Sequence, residues 1–351
     1  MLTDLRLQNF RSYEDASFEF SSGVNIIVGP NASGKTNLLE AIFMIARGGS
    51  YRSNGNELVM FGRSWARLDC DLESGGHRTV KLSGGEKIEK TYEINNKTYK
   101  RLSLNNNIPV VLFEPNHLLL LSGRPELRRD YLDDLLEQTT PGYGTTRRQY
   151  RRAVIQRNTL LKQIHTNSNN QIFAWDLRLS QLAGVIVRAR KNLSEQINKE
   201  LGGLYQQLSQ TKNKLTLTYQ SNWPIDNYET QFLKKLEANF INDKQRGFTG
   251  TGPHREDVLV SFDGYPAQEV ASRGETRTAI LVLKTIELKI IETVRETTPL
   301  LLLDDVFSEL DGKRRHALTD HLVSYPTFIT TTDADIVLRN FTEQSNVIAL
   351  S

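Results

Sequence analysis

The stretch Val24-Asn-Ile-Ile-Val-Gly-Pro-Asn-Ala-Ser-Gly-Lys-Thr36 decides the fold of this chain. Its first five residues are apolar and largely β-branched, which predicts a short buried strand. The pattern G-x-x-x-x-G-K-T begins with the next residue, and residues 37–44 after it are predicted to form a helix. A strand, this loop and a helix in that order are what a phosphate-binding loop requires.

The residues of this loop have the chemistry to bind nucleotide phosphates. Gly29 and Gly34 let backbone N–H groups converge on phosphate oxygens, and the N-terminus of the helix adds a partial positive charge. Lys35 can reach the β- and γ-phosphates, while the Thr36 hydroxyl can ligate Mg²⁺. We therefore predict a nucleotide site formed by Gly29, Pro30, Asn31, Ala32, Ser33, Gly34, Lys35 and Thr36.

An apolar segment nearer the C-terminus predicts the metal-binding half of the same site. Leu300–Leu303 has the composition of a buried strand, and two carboxylates, Asp304 and Asp305, follow it. This is the form of a Walker B segment, in which Asp304 would hold Mg²⁺, directly or through water, and Asp305 would orient the attacking water. A buried strand that ends in an acidic turn is common, so the prediction depends on its pairing with Lys35.

A third segment, Ser272-Arg-Gly-Glu-Thr-Arg277, precedes an apolar helix. Ser272 is predicted to cap that helix, and Gly274 would let the backbone approach a ligand closely. A helix N-terminus with free N–H groups can bind a second phosphate. The residues alone leave a simple N-cap as the alternative.

The composition limits the class of protein. The chain has 351 residues, of which 38% are hydrophobic and 24% charged, so we expect two globular lobes. The longest apolar runs, such as Leu118–Leu121, are far too short to cross a bilayer. The single cysteine, Cys70, excludes an internal disulfide and a cysteine-based zinc site, and we expect a reducing, cytoplasmic location.

Charge is distributed unevenly, although the net charge is only +3. Between Arg147 and Lys191 there are ten basic residues and one acidic residue, Asp176, so this segment carries +9 and the rest of the chain −6. The asymmetry indicates a surface that binds a polyanion. A solvated helix face is the usual alternative, but acidic partners are nearly absent from the segment. The arginines predicted to share much of one helical face and to contact DNA phosphates are Arg147, Arg148, Arg151, Arg152 and Arg157.

The order of predicted elements indicates an α/β protein with an inserted, mainly helical lobe. Strand-like patterns lie at residues 2–28, 65–99 and 110–113, and helical spacing at residues 126–138, 147–161 and 173–208. We predict a nucleotide-binding lobe with a mixed or parallel sheet, formed by residues 1–118 and 248–351. The basic helical lobe would comprise residues 119–247.

In this order and spacing, the three motifs resemble those of the ATP-binding-cassette (ABC) ATPases, specifically their SMC-like branch. The resemblance implies that Ser272 and Gly274 lie in the signature motif and act in trans on the γ-phosphate of an ATP held by the other protomer. It also implies that Ser308–Asp311 is the D-loop. Each ATP would be buried between two subunits, so ATP binding would drive homodimerisation and hydrolysis would release it.

Within this branch, the chain resembles the RecF family over essentially its whole length. The segments that carry the resemblance are Asn9-Phe-Arg-Ser-Tyr13, Leu112-Phe-Glu-Pro115, Leu127-Arg-Arg-Asp-Tyr-Leu-Asp133, Thr251-Gly-Pro-His-Arg-Glu-Asp257 with Ser272–Arg277, and Phe328-Ile-Thr-Thr-Thr-Asp333. The family places Arg11 near the nucleotide phosphates. It also implies a nucleoid-associated role in DNA replication, recombinational repair and the SOS response. The implied partners are single-stranded DNA, duplex DNA and preferentially their junctions, together with RecO and RecR, which support the loading of RecA.

One residue departs from the pattern of ABC transporters, and two other functions are alternatives. Asp305 stands where transporters usually carry glutamate, and its shorter side chain predicts a slow ATPase, which we expect DNA to stimulate. The alternative function is the ATPase subunit of a membrane transporter, although such a subunit would not need a +9 helical insertion. A small-molecule kinase is a third hypothesis, in which the Ser272 segment would have no role.

Overall fold

The computed structural model describes residues 1–53, 55–85, 88–163, 169–309, 311–312, 314–315, 319, 324–333 and 345–351, without the side chains of Asn169, Asn170, Ser308 and Glu309. Among them the strands, in chain order, are β1 (Leu2–Phe10), β2 (Tyr13–Glu19), β3 (Val24–Val28), β4 (Trp65–Leu72), β5 (His77–Ser83), β6 (Glu89–Ile94), β7 (Lys97–Tyr99), β8 (Val110–Phe113), β9 (Leu215–Gln220), β10 (Asp257–Phe262), β11 (Tyr265–Pro266), β12 (Leu300–Asp304), β13 (Thr327–Thr331) and β14 (Ser345–Ala349). The α-helices are α1 (Lys35–Arg47), α2 (Pro125–Thr139), α3 (Tyr143–Lys162), α4 (Asn169–Ser209), α5 (Tyr228–Ala238), α6 (Phe240–Arg246), α7 (Ala267–Val270), α8 (Arg273–Arg295) and α9 (Val306–Glu309).

The chain divides into two compact units. The first contains Met1–His117 and Glu287–Ser351, and the second contains Leu118–Ile286. The first junction lies one residue from the predicted boundary at 118/119, whereas the second lies at 286/287 and corrects the prediction of 247/248. The reason is strand pairing: β10 forms an antiparallel ladder with β9, which belongs to the insertion, so residues 248–286 fold with the helical unit.

The first unit contains two sheets of different kind. Among the described residues, an antiparallel sheet has the order β2-β1-β4-β5-β6-β7, and a parallel sheet has the order β14-β3-β13-β12-β8. In the antiparallel sheet buried and exposed residues alternate, as in β1, where Leu2, Leu5 and Leu7 are buried. In the parallel sheet, by contrast, β8, β12 and β13 are buried along their whole length, as expected for strands covered on both faces.

Helix α1 connects the cores of these two sheets. It packs against β4 and β5 of one sheet and against β8, β12 and β13 of the other. Leu38, Leu39, Ile42 and Ile45 of α1 are fully or almost fully buried in a hydrophobic cluster with residues of both sheets. Because the helix is held on both sides, its N-terminus, which follows the phosphate loop, has a defined position.

The second unit is mainly helical, as predicted. The predicted helices at residues 126–138, 147–161 and 173–208 correspond to α2, α3 and α4. The long helix α4 packs against α3, α5 and β9, and a small antiparallel sheet has the order β11-β10-β9. In the described parts of the chain, every helix is too short or too polar to span a bilayer. The α/β class predicted from the sequence is therefore confirmed.

Candidate nucleotide site and basic surface

The phosphate loop connects β3 to α1, as the sequence predicts, and both of its glycines are required by close packing. Gly34 caps α1 with φ +100°, and a Cβ atom there would lie 2.8 Å from the Tyr13 hydroxyl oxygen. At Gly29 a Cβ atom would lie 2.7 Å from the carbonyl oxygen of Leu350. Side chains at either position would therefore displace the loop backbone, which carries the N–H groups that a phosphate would meet.

Lys35 is folded over this loop. Its Nζ atom donates hydrogen bonds to the carbonyl oxygens of Gly29 and Pro30, each across 2.7 Å. The side chain is almost completely buried. The ammonium group therefore stands directly above the loop that connects β3 to α1, where phosphate charge would be neutralised.

Asp304 meets the first turn of α1. The Thr36 hydroxyl donates to Oδ1 of Asp304 across 3.0 Å, and the Tyr51 hydroxyl donates to Oδ2 across 3.4 Å. Burial, together with the negative charge of Asp304, raises the pKa of Tyr51, so Tyr51 donates as a neutral phenol. The contact arises because the carboxyl ends of parallel strands lie at one edge of a sheet, where ligands of such folds bind.

The next carboxylate, Asp305, follows the end of β12 in a left-handed backbone conformation. Its φ is +52°, which is uncommon for a residue with a side chain and carries conformational strain. The backbone N–H of Asp305 donates to Oγ1 of Thr330 across 2.9 Å. The strained turn therefore ends the strand immediately after Asp304 and leads into α9.

The residues of this edge fit a magnesium nucleotide. The Thr36 hydroxyl and the Asp304 carboxylate supply oxygen ligands, which Mg²⁺ prefers. The Oγ atom of Ser33, in the loop, is buried without a hydrogen-bond partner among the described residues. A buried hydroxyl of this kind needs a partner, and a phosphate oxygen would supply one.

Arg11, expected near the phosphates, is held by a buried carboxylate. It donates from Nε and Nη2 to the two carboxylate oxygens of Glu40 across 2.9 and 2.8 Å, a bidentate pair. Glu40 is fully buried on α1 and also receives a hydrogen bond from Ser50. This ion pair ties the turn between β1 and β2 to the helix that follows the phosphate loop.

A cavity of about 930 Å³ opens beside this ion pair. Arg11, Ser12 and Asn37 line it on the side of α1, and Phe61 and Arg63 line it on another side. The side chain of Phe61 is fully exposed. The cavity therefore offers an apolar ring and several polar groups next to the first turn of the helix.

The Ser272 segment begins α8 in the second unit with a reciprocal cap. The backbone N–H of Glu275 donates to the Ser272 hydroxyl across 3.2 Å, and the backbone N–H of Ser272 donates to the Glu275 carboxylate across 2.9 Å. This is a capping box, and the predicted N-cap role of Ser272 agrees with it. Asn213 also donates to Glu275 across 3.3 Å. In the predicted D-loop, Leu310 and the side chains of Ser308 and Glu309 lie outside the described residues.

Two of the five arginines predicted to contact DNA are buried, and the prediction is corrected for them. Arg157 is fully buried and bonds Asp176 and Asp243, the latter across 2.7 Å. Arg147 forms ion pairs within 3.1 Å to four acidic residues on α2: Asp130, Asp133, Asp134 and Glu137. The local sequence suggested that acidic partners were nearly absent, but Asp176 and carboxylates on other elements of the fold supply them.

The other three arginines lie on the outer face of α3. Arg148, Arg151 and Arg152 are exposed. Arg148 donates to the Thr145 hydroxyl across 2.9 Å, and Arg151 lies 3.6 Å from the exposed carboxylate of Asp130. Long exposed pairs of this kind are weak, so these guanidinium groups can exchange partners for phosphates.

Residues of the motifs that carry the family resemblance form ion pairs within the second unit. Arg128 donates to both carboxylate oxygens of Asp257 across 2.9 and 2.8 Å. Asp133 accepts two hydrogen bonds from Arg190, a nearly completely buried guanidinium group. These ion pairs join α2 to β10 and to α4, and removal of one partner would leave a buried charge unpaired.

Sequence reasoning missed three residues around the nucleotide site. Glu40 and Tyr51 lie in segments whose pattern indicated only a helix and its following loop. Thr330 contacts Asp304 and the backbone of Asp305. The sequence contains a run of three threonines, Thr330 to Thr332, but it does not indicate which carboxylate any of their hydroxyls meets.

Comparison with known proteins shows the family of this chain. The model of the RecF/RecN/SMC N-terminal domain family matches residues 1–349. A curated protein of Heliobacterium modesticaldum (strain ATCC 51547 / Ice1), named DNA replication and repair protein RecF, is 35% identical over 93% of this chain and 91% of its own length. A protein of the same name from Enterococcus faecalis (strain ATCC 700802 / V583) is 34% identical over 99% of this chain and 96% of its own.

Solved structures give the same result. A structure described as the recombination mediator protein RecF with ATP in the RecFOR pathway superimposes with a TM-score of 0.85 at 29% identity, covering 95% of this chain and 92% of the other. An SMC head structure matches with a TM-score of 0.53 at 16% identity over 97% of this chain and 92% of the other, which shows the fold alone. The fold and the site thus define an ABC-type ATPase head of the SMC-like branch. Within that class, the chain belongs to the RecF family.

Proposed function

We propose that this protein binds and slowly hydrolyses ATP, and that ATP controls its hold on DNA during replication and recombinational repair. The observation that carries the proposal is the contact between Thr36 and Asp304, which brings the two predicted halves of a magnesium-nucleotide site together beside Lys35. Membership of the RecF family supports it and removes the reason to retain the transporter and kinase alternatives.

Each residue of the first unit would have a distinct part in hydrolysis. Lys35 would exchange its two carbonyl partners for β- and γ-phosphate oxygens, and Thr36 and Asp304 would hold Mg²⁺. Bound Mg²⁺ would neutralise charge on the phosphates. Asp305 would orient the attacking water, and we expect a slow rate because its side chain is shorter than the glutamate usual in transporters.

The nucleoside would enter the cavity beside α1. Asn37 and Ser12 line the cavity near the first helical turn, so the ribose would leave the phosphate loop in that direction. The exposed Phe61 ring could pack against the base. Arg11, through its pair with Glu40, would stay close to the phosphates as the family resemblance implies.

A second copy of the chain would close the nucleotide site. The N–H groups of Arg273 and Gly274 precede the first intrahelical bonds of α8, so both can donate to a phosphate. The capping box between Ser272 and Glu275 would hold this turn in shape. We infer that Ser272 and Gly274 act in trans on ATP bound by the other protomer, and that hydrolysis lets the dimer dissociate.

The DNA surface would be the outer face of α3, with Arg148, Arg151 and Arg152 on phosphates. On the basis of family membership, we also propose that the protein prefers single-strand/duplex junctions. We propose on the same basis that it cooperates with RecO and RecR in the loading of RecA and acts in the SOS response. The same basis gives a cytoplasmic, nucleoid-associated location and DNA stimulation of the ATPase.

Sedimentation with and without ATP and DNA tests the proposal. The wild-type protein should form a dimer only with ATP, and DNA should increase the dimer fraction. Lys35→Met should remain monomeric because it no longer binds nucleotide. Ser272→Arg should also remain monomeric because the larger side chain blocks the contact between the Ser272 segment and the ATP of the other protomer. Ser103→Arg is the matched control, since Ser103 is exposed and its side chain makes no cap hydrogen bond. Dimerisation of Ser272→Arg at the wild-type ATP concentration would contradict the arrangement in trans.

A further inference from the structure

The Thr330 hydroxyl bonds to both acidic residues that follow one another at the end of β12. It donates to Oδ1 of Asp304 across 2.8 Å and accepts the backbone N–H of Asp305 across 2.9 Å. Thr330 is completely buried. The position results from the parallel register of β12 and β13, in which Asp304 lies directly opposite Thr330.

This hydroxyl has few alternative partners. A threonine hydroxyl has one hydrogen to donate, and within the described parts of the chain its other acceptor, the carbonyl oxygen of Leu303, is 3.5 Å away. The Asp304 oxygen is the closer acceptor, at 2.8 Å. The same Oδ1 atom receives the Thr36 hydroxyl, so Thr330 limits the rotation of the carboxylate that meets the phosphate-loop helix.

The second bond acts on the backbone. Asp305 has φ +52°, and its backbone N–H donates to the side chain of Thr330 on the neighbouring strand β13. Without this acceptor, the backbone N–H of a strained residue would lose the hydrogen bond that it makes to Thr330. The Thr330 hydroxyl therefore supports the one turn from which the Asp305 side chain projects.

We propose that Thr330 is a positioning residue for ATP hydrolysis, in that its single hydroxyl orients the Asp304 carboxylate towards Mg²⁺ and fixes the backbone from which Asp305 reaches the attacking water. This role rests on the proposed ATPase function. In this role the residue would act only through the two acids to which its hydroxyl bonds. Substitution of groups that orient metal ligands in this way typically costs about 10- to 100-fold in metal affinity or activity.

Three substitutions separate this role from simple packing. Thr330→Val removes the hydroxyl and keeps the shape, Thr330→Ser keeps the hydroxyl, and Thr327→Val is the control. Thr327 is fully buried on the same strand, but its hydroxyl donates to the carbonyl oxygen of Tyr325, away from the acids. Thr330→Ala provides a second hydroxyl-free variant in case valine prevents folding.

The readouts are kcat, the Mg²⁺ concentration that gives half-maximal ATPase activity, and ATP affinity in EDTA. We expect Thr330→Val and Thr330→Ala to lower kcat by about 10- to 100-fold and to raise the Mg²⁺ midpoint by about tenfold, with ATP affinity in EDTA unchanged. Thr330→Ser and Thr327→Val should stay near wild type in all three measurements.

Two results would overturn the role while leaving the proposed function intact: unchanged kcat and Mg²⁺ midpoint in both hydroxyl-free variants, or equal impairment of Thr330→Ser and Thr330→Val. A loss of thermal stability with normal Mg²⁺ dependence would likewise assign Thr330 to packing alone. A wild-type protein that lacks ATPase activity would instead contradict the proposed function, and the positioning role with it.

Discussion

The Thr36 hydroxyl donates a hydrogen bond to Oδ1 of Asp304 across 3.0 Å, although 268 positions separate the two residues in the chain. The contact depends on the parallel order β3-β13-β12, which brings the ends of distant strands to one edge of the sheet. It joins a residue suited to phosphate and metal binding with a carboxylate suited to the same metal. The nucleotide chemistry of this protein is therefore testable at single side chains.

Asp304→Asn should abolish most of the Mg²⁺-dependent ATP hydrolysis. The amide retains the size of the side chain but loses the charge that attracts the metal, so kcat should fall on the order of 100-fold or more. The measurement is steady-state phosphate release over a range of Mg²⁺ concentrations. Asp4→Asn, at an exposed position of β1, should behave as wild type. Full activity in Asp304→Asn would exclude this residue as a metal ligand.

Neutralising the exposed face of α3 should weaken DNA binding and reduce its salt dependence. Each lost phosphate contact lowers the slope of log K against log salt by about 0.9 for duplex DNA, so Gln at Arg148, Arg151 and Arg152 should lower the slope by up to about 3. Fluorescence anisotropy from 50 to 200 mM salt measures this slope. The matched triple variant carries Gln at Lys199, Lys234 and Lys235, which are also exposed on the helical unit. Equal slopes in both triple variants would mean that DNA binds elsewhere.

Arg157→Met should destabilise the fold rather than act on DNA specifically. The substitution leaves the carboxylates of Asp176 and Asp243 buried without their cation, at a cost of about 3–5 kcal/mol in the free energy of unfolding. Arg152→Met, on the exposed face of the same helix, should change this free energy by less than about 0.5 kcal/mol. Urea unfolding distinguishes them, and similar midpoints for the two variants would argue against the buried network.

Stability should decrease between pH 6.5 and pH 4 because of His254. Its Nδ1 atom faces the Tyr150 hydroxyl across 2.7 Å, and its Nε2 atom faces the carbonyl oxygen of Thr249 across 3.1 Å. Burial lowers the pKa of His254 to about 4, and the neighbouring Arg255 acts in the same direction.

The sign follows from proton binding. Below pH 6.5 the unfolded chain binds a proton at this histidine, whereas the folded protein does so only near pH 4, so the stabilisation is complete above pH 6.5 and is lost as pH falls towards 4. The loss is on the order of 3 kcal/mol. Urea unfolding across this range should show a smaller pH dependence for His254→Gln than for wild type. Parallel stability curves for the two proteins would show that His254 titrates normally in the fold.

Much of the fold could be predicted because its signals are local. The alternation in β1, the apolar run of β12 and the helical spacing of α4 each reflect the geometry of one element. The phosphate loop could be predicted for the same reason, since its glycines and Lys35 lie within eight residues of chain. The N-cap at Ser272 is also a local feature.

The incorrect predictions concerned residues whose partners are distant in sequence. Arg147 and Arg157 belong to a segment with a single acidic residue, and a charge count along the chain made their guanidinium groups look available. The structure pairs them with carboxylates on α2, α4 and α6 instead. The domain boundary at 247/248 was wrong for the same reason, because the pairing of β10 with β9 crosses it.

The sequence by itself therefore determined which short segments can bind phosphate, carry acid groups or form strands and helices, because backbone geometry and side-chain chemistry act over a few residues. Only the tertiary structure decided which arginines remain exposed and which threonine holds Asp304. Those outcomes depend on which strands and helices become neighbours, and that choice is made by the burial and pairing of groups that the chain keeps far apart.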